Sequence, residues 1–156
     1  MTQPINIYVD TSVFGGVHDD EFSVASRLFF EQAEKGRFSI LISQVTLDEI
    51  ALAPENVREV VERLPPACIR EVPVKSTALD LAQEYIASGA IGEKWLDDAL
   101  HVAIATLESA DLIVSWNFKH LVNYDKIRQY NAVNKSLGYK YLDIRSPLEV
   151  VYGDES

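Results

Sequence analysis

The chain has 156 residues, 47% of them hydrophobic, and a formal charge of −10, a length that suits one globular domain with a single apolar core. Its acidity argues against a generic nucleic-acid binder, because phosphate contacts fall mainly to lysine and arginine. A lone cysteine, Cys68, excludes an internal disulfide and a cysteine-built metal site, and no apolar run reaches membrane-spanning length.

The elements alternate between short β-branched runs and longer stretches of helical periodicity, the order of βαβ units around a parallel sheet. The first strand is expected over residues 5–9, followed by a Gly15-Gly16 break and a helix over 22–35 that Gly36 ends. A second strand covers 38–42. Helical segments follow over 43–53 and from Pro54 to about 64, the latter stopped by Pro65-Pro66. The third strand is read over 69–74 and the next helix over 77–88, with Ser76 as its cap. Residues 93–109 carry the clearest apolar stripe, Leu96, Ala99, Leu100, Ala103 and Leu107. A buried strand over 111–115, a polar helix over 124–137 ended by Gly138, and a fifth strand over 139–144 complete the pattern. Ser146-Pro147 caps a brief terminal helix. Residues 1–150 are thus expected to form a single domain, with 151–156 as a frayed acidic tail. The opening residues run straight into the first strand without a signal-peptide pattern, so the expected location is the cytoplasm.

Ligands of parallel α/β sheets bind beyond the carboxyl ends of the strands, near the point where strand order reverses, and that rule sorts the acidic residues. Asp10 directly follows the first strand in Tyr8-Val9-Asp10-Thr11-Ser12; a turn or capping aspartate is the ordinary alternative. Glu49 lies just past the second strand. It shares capping-box spacing with Thr46, but if the helix starts at Ser43 it falls in the second turn and can face the cleft. Asp97 and Asp98 open the strongest helix, where the helix dipole favours acids. Asp98 shares a face with His101, Val102 and Ala105, which makes it the site candidate and Asp97 the solvated one. Asn117 and Ser115 follow the fourth strand and can orient a water or a carboxylate. Asp111 precedes that strand and belongs to the opposite edge.

Three carboxylates gathered from separate segments repel one another unless a cation neutralises them. Mg2+ or Mn2+ suits such oxygen ligands. Charge is also unevenly spread: residues 115–145 sum to +4 and the remainder to −14, a pattern that suits a carboxylate site beside a surface that meets a nucleic-acid backbone and equally a set of charges that only solvate one helix and its neighbouring strand.

Four segments together resemble the PIN-domain nucleases, particularly the VapC-like toxins of bacterial and archaeal toxin-antitoxin pairs. They are Tyr8-Val9-Asp10-Thr11-Ser12, residues 43–49, Asp98-Ala99-Leu100-His101-Val102-Ala103-Ile104-Ala105, and Val114-Ser115-Trp116-Asn117-Phe118-Lys119-His120-Leu121. The resemblance implies a Rossmann-like, three-layer α/β/α fold with a parallel sheet of about five strands. It implies that Asp10, Glu49 and Asp98 bind the metal and carry catalysis, with Ser12 and Asn117 in support; Ser115, from its place after the fourth strand, is added to the supporting residues. Many relatives have aspartate where this chain has Asn117, which brings no charge to a second ion, although asparagine also occurs there. The implied reaction is endoribonucleolytic hydrolysis leaving a 5′-phosphate and a 3′-hydroxyl. The implied partners are RNA, a cognate antitoxin and a second copy of the chain in a homodimer.

Lys119, His120 and Arg128 are the candidate substrate-binding residues; for His120 a buried structural role is the competing reading. Trp116 and Tyr130 are the favoured platforms for stacking unpaired bases. His101, one turn beyond Asp98, is placed to hydrogen-bond to it. Two alternatives remain beside the nuclease: a catalytically inactive PIN-like interaction module, and a phosphotransfer domain using Asp10 as nucleophile. The latter lacks the second acid two residues on.

Overall fold

Ile5–Val9 (β1), Phe38–Ile42 (β2), Ile69–Glu71 (β3), Leu112–Val114 (β4) and Asp143–Arg145 (β5) form, in the computed structural model, one wholly parallel sheet of order β3-β2-β1-β4-β5. Residues 4–151 are described; most of the expected acidic tail, 152–156, lies outside them. Strand order reverses between β1 and β4, so the carboxyl ends of these two central strands define the ligand-binding edge.

The pleat sends alternate side chains to opposite faces. Ile7, Val9, Ile40, Ile42 and Val114 pack under Thr11–Gly16 (α1), Ser23–Glu34 (α2), Glu55–Arg63 (α4) and Pro147–Val150 (α8). Tyr8, Leu41, Ile113 and Ile144 face Ser76–Ala87 (α5), Leu96–Leu107 (α6) and Tyr124–Ser136 (α7). The result is the expected three-layer α/β/α arrangement. Gln44–Ala51 (α3) leaves the carboxyl end of β2 and touches both α1 and α6, so it brings the two faces together at the ligand-binding edge. Gly36 and Gly138 end α2 and α7 with φ of +88° and +81°, the left-handed conformation glycine adopts without steric cost.

Three elements depart from expectation. The third strand is shorter than 69–74: Val72 still donates its N–H to Ile42 O at 2.7 Å, but Pro73 has no N–H with which to continue. The fifth strand starts at Asp143 rather than 139. The side chain of Asn131 takes the place of a strand partner there, accepting from Leu142 N at 2.7 Å and donating to Leu142 O at 2.8 Å. Instead of a break at Gly15-Gly16, the chain forms the short helix α1. Among the described residues no helix is long and apolar enough to cross a membrane.

Candidate metal centre

Asp10 leaves β1 with its N–H still bonded to Val114 O at 3.0 Å, so the sheet itself fixes its backbone. Its carboxylate is buried. Ser12 and Ser115 both donate to Asp10 Oδ2, at 2.7 and 2.8 Å. Their hydroxyls in turn accept from Trp116 N and Asn117 N, both at 2.9 Å. The exits of β1 and β4 are thereby laced together around one carboxylate oxygen.

Glu49 is presented by α3. Ser43 starts that helix, and the hydroxyl that reaches back to Ser43 N is that of Thr46, at 3.3 Å; Glu49 therefore has no capping duty and falls in the second turn. Its Oε1 accepts from Thr11 Oγ1 at 2.7 Å and faces His101 Nε2 at 2.7 Å. Asp98, in the first turn of α6, completes the pattern: its Oδ2 faces His120 Nδ1 at 3.0 Å and accepts from Asn117 Nδ2 at 3.3 Å.

Each of the three carboxylates thus has one oxygen held by two donors. Among the described residues no hydrogen bond reaches the other oxygen, which is Asp10 Oδ1, Glu49 Oε2 or Asp98 Oδ1; His101 Nε2 lies 3.7 Å from Asp10 Oδ1. Glu49 and Asp98 line the same cleft, of about 400 Å³, with Lys94, Trp95, Leu96 and Asp97.

Burial and the charge of Asp10 raise the pKa of Asp98, against the opposing pull of His101 and His120. Burial also works against ionised Glu49, but the bond and charge of His101, aided by Thr11, hold its pKa below the ordinary value. His101 is wholly buried, which opposes its charged form; Tyr8, the bond to Glu49 and the charges of Asp10 and Glu49 outweigh that and hold its pKa well above the usual range. Glu49 thus has its positive partner in His101, while Asp98 is the carboxylate left short of positive charge. Potential ligand atoms of Asp10, Glu49 and His101 lie within 4.8 Å of one another; with His101 Nε2 committed to Glu49, the carboxylate oxygens of Asp10 and Glu49 are the donors that fit a hard divalent ion. Asp98 stands outside that tight group but feels the charge of Asp10.

His101 was expected to bond to Asp98; it turns instead to Glu49, while its Nδ1 meets Tyr8 OH at 2.7 Å. Thr11 and Tyr8 also escaped the reading of the sequence, since their partners lie on α3 and α6. Among the candidate substrate contacts, Lys119 is exposed and near the cleft, with Nζ 5.4 Å from the Trp95 ring centroid. His120 is buried against Asp98. Arg128 lines a different groove, with Tyr124 and Tyr141, and pairs with Asp125 at 3.8 Å. The two favoured stacking platforms are corrected: Trp116 is buried with its Nε1 bonded to Ser26 at 2.8 Å, and Tyr130 is buried with its hydroxyl on His120 O at 2.8 Å. Asp97 is exposed, and Asp111 binds Asn6 N at 2.8 Å at the opposite edge of the sheet.

Comparison with known proteins bears on the fold and the family. The chain is similar in structure to VapBC2 from Rickettsia felis, solved bound to a DNA fragment from its promoter, at 14% identity and a TM-score of 0.58, covering 91% of this chain and 98% of that one. It is also similar to VapC20 of Mycobacterium tuberculosis, a sarcin-ricin loop cleaving toxin, at 14% identity and a TM-score of 0.54, covering 72% and 91%. No curated protein sequence matches significantly. The PIN domain family model matches residues 7–124, which span all three carboxylates and their six donors, and the chain belongs to that family.

Proposed function

We propose that the protein is an endoribonuclease dependent on Mg2+ or Mn2+, the toxin of a toxin-antitoxin pair. The observation that carries this reading is the repeated arrangement of Asp10, Glu49 and Asp98, each with one oxygen fixed by two donors and the other left for a cation. Membership of the PIN family and the likeness to VapC20, a sarcin-ricin loop cleaving toxin, support it.

Asp10, Glu49 and Asp98 would hold the ion. Bound there, a divalent ion would supply a water of lowered pKa and would offset charge on the phosphate. Ser12 and Ser115 keep Asp10 in place, Thr11 and His101 keep Glu49, and Asn117 and His120 keep Asp98. Lys119 supplies positive charge to the substrate at the rim. Hydrolysis adds water across the P–O3′ bond, leaving a 5′-phosphate and a 3′-hydroxyl. An antitoxin and a second copy of the chain are the protein partners of this reading. The free, buried Cys68 is consistent with the reducing cytoplasm, and residues 1–150 would act as one nuclease domain.

The test is incubation of purified protein with structured and single-stranded RNAs, with and without Mg2+ or Mn2+, beside Asp10→Asn and Asp98→Asn. Metal-dependent cleavage that disappears in both folded variants is expected. Cleavage surviving in either one would sink the proposal, and failure of folded wild-type protein with both ions and varied RNAs would favour an interaction module that keeps the fold without the chemistry.

A further inference from the structure

We propose that Lys94, Trp95 and Lys119 form a clamp for the phosphodiester backbone of an unpaired RNA strand at the mouth of the carboxylate cleft. The identity of the polyanion rests on the nuclease reading, which already gives Lys119 a place at the rim; Lys94 and Trp95 are residues that reading does not use. Trp95 ends the short turn before α6 and lines the cleft beside Glu49 and Asp98. Lys94 Nζ lies 5.0 Å from its ring centroid and Lys119 Nζ 5.4 Å. One indole therefore gathers two ammonium groups supplied by segments 25 residues apart in sequence.

These cations are uncommitted. Arg63, Lys75, Arg128 and Arg145 pair with carboxylates, and Lys126 Nζ donates to Ala90 O; among the described residues neither Lys94 nor Lys119 has a carboxylate partner. Cation–π attraction holds an ammonium in place without cancelling its charge, so both remain available to phosphate. The distances to the shared ring put the two ammoniums within about 10 Å of each other, a gap that successive phosphates of one strand can bridge. The clamp is also tied to the site. The His120 ring packs on Trp95 at 4.5 Å, and the same imidazole meets Asp98 Oδ2 at 3.0 Å. A chain of charge −10 repels RNA at long range, and two free cations beside the carboxylates give the strand a place to dock.

The experiment measures binding rather than cleavage. Asp10→Asn protein is titrated into a fluorescein-labelled single-stranded RNA of about 20 nucleotides, and anisotropy is followed over a series of KCl concentrations. Adding Lys94→Gln and Lys119→Gln is expected to weaken binding about tenfold or more and to reduce the slope of log K against log salt by about 1.4, since each phosphate contact on a single strand contributes about 0.7. Lys35→Gln with Lys140→Gln, which removes equal charge ahead of β2 and β5 at the far edge of the sheet, should leave the slope unchanged. Trp95→Leu should weaken binding and Trp95→Phe should largely retain it. A slope equal in the two double variants, or no RNA binding by the starting protein, would overturn the clamp. Cleavage by wild type with unaltered binding in the Lys94/Lys119 variant removes the clamp alone; the expected slope change with no cleavage by wild type removes the nuclease reading alone.

Discussion

His101 Nε2 lies 2.7 Å from Glu49 Oε1, and the imidazole that makes this contact is wholly buried with its other nitrogen 2.7 Å from Tyr8 OH. Tyr8 OH in turn lies 2.7 Å from Ser43 Oγ. A hydrogen-bonded line therefore runs from β1 through α6 to the carboxylate on α3 and fixes which Glu49 oxygen, Oε2, is left for the proposed ion. Groups that orient metal ligands in this way typically govern 10–100-fold in affinity. His101→Gln and Tyr8→Phe are expected to weaken Mn2+ binding by about that factor while the fold is kept, as read by calorimetric titration alongside circular dichroism. Affinity equal to wild type in folded His101→Gln would show that Glu49 needs no such support.

A second prediction concerns Asn117, whose Oδ1 accepts from Lys119 N and His120 N at 3.1 and 2.9 Å while its Nδ2 donates to Asp98. In Asn117→Asp the turn keeps its acceptor, but the donor facing Asp98 becomes a second carboxylate oxygen. Repulsion and a lost hydrogen bond should cost the metal-free protein ~1–2 kcal/mol, and Mg2+ should raise its Tm by more than it raises that of wild type. Thermal melts with and without the ion check this; equal metal-free Tm values would remove Asn117 from the site's charge balance.

How far the sequence could be read differs from residue to residue. Asp10 was legible because a strand-terminal acid at the reversal point is a matter of chain order. Glu49 was not separable from a capping role by spacing alone, since Thr46 and Glu49 fit a capping box; the choice depended on where α3 begins, and Ser43 decides it. His101 shared a helical face with Asp98, but periodicity cannot say what another helix brings to that face, and α3 brings Glu49. Trp116 and Tyr130 failed as stacking platforms for the same reason: an aromatic residue among cations reads as surface until Ser26 and the His120 carbonyl claim its polar atom. In β5, a single asparagine side chain on α7 was enough to shorten a strand.

Alkaline pH should weaken the fold through Tyr85. Its buried hydroxyl donates to Asn134 Oδ1 at 2.5 Å, and burial, only partly offset by Thr106 and Asn134, pushes its pKa up from 10.0 to about 12. The folded state therefore keeps a proton that the unfolded chain loses. This contribution is fully present below about pH 10 and is lost as pH rises through about 12, a change of ~3 kcal/mol. Urea titrations across that interval should show stability falling with pH, and Tyr85→Phe, though less stable at neutral pH, should show a shallower fall. An unchanged slope in Tyr85→Phe would assign the alkaline limb elsewhere, Tyr130 being the other buried tyrosine raised by burial.

Two adjacent glycines of α1 should respond oppositely to alanine. At Gly16 a Cβ would sit 2.5 Å from Ser26 Oγ and 2.8 Å from Trp116 Nε1, two atoms already bonded to each other at 2.8 Å; at Gly15 it would meet nothing within 4 Å. Gly15→Ala should therefore gain the ordinary helical preference for alanine, about 0.5–1 kcal/mol. Gly16→Ala must push the indole off Ser26, at ~1–3 kcal/mol for overpacking a buried contact. The displacement also reaches the site, because Trp116 N is bonded to Ser12 Oγ, which holds Asp10. Gly16→Ala should accordingly lose RNA cleavage at temperatures where it remains folded, and Gly15→Ala should not. Matching stability and activity in the two variants would mean that α1 and Trp116 can move apart without disturbing Asp10.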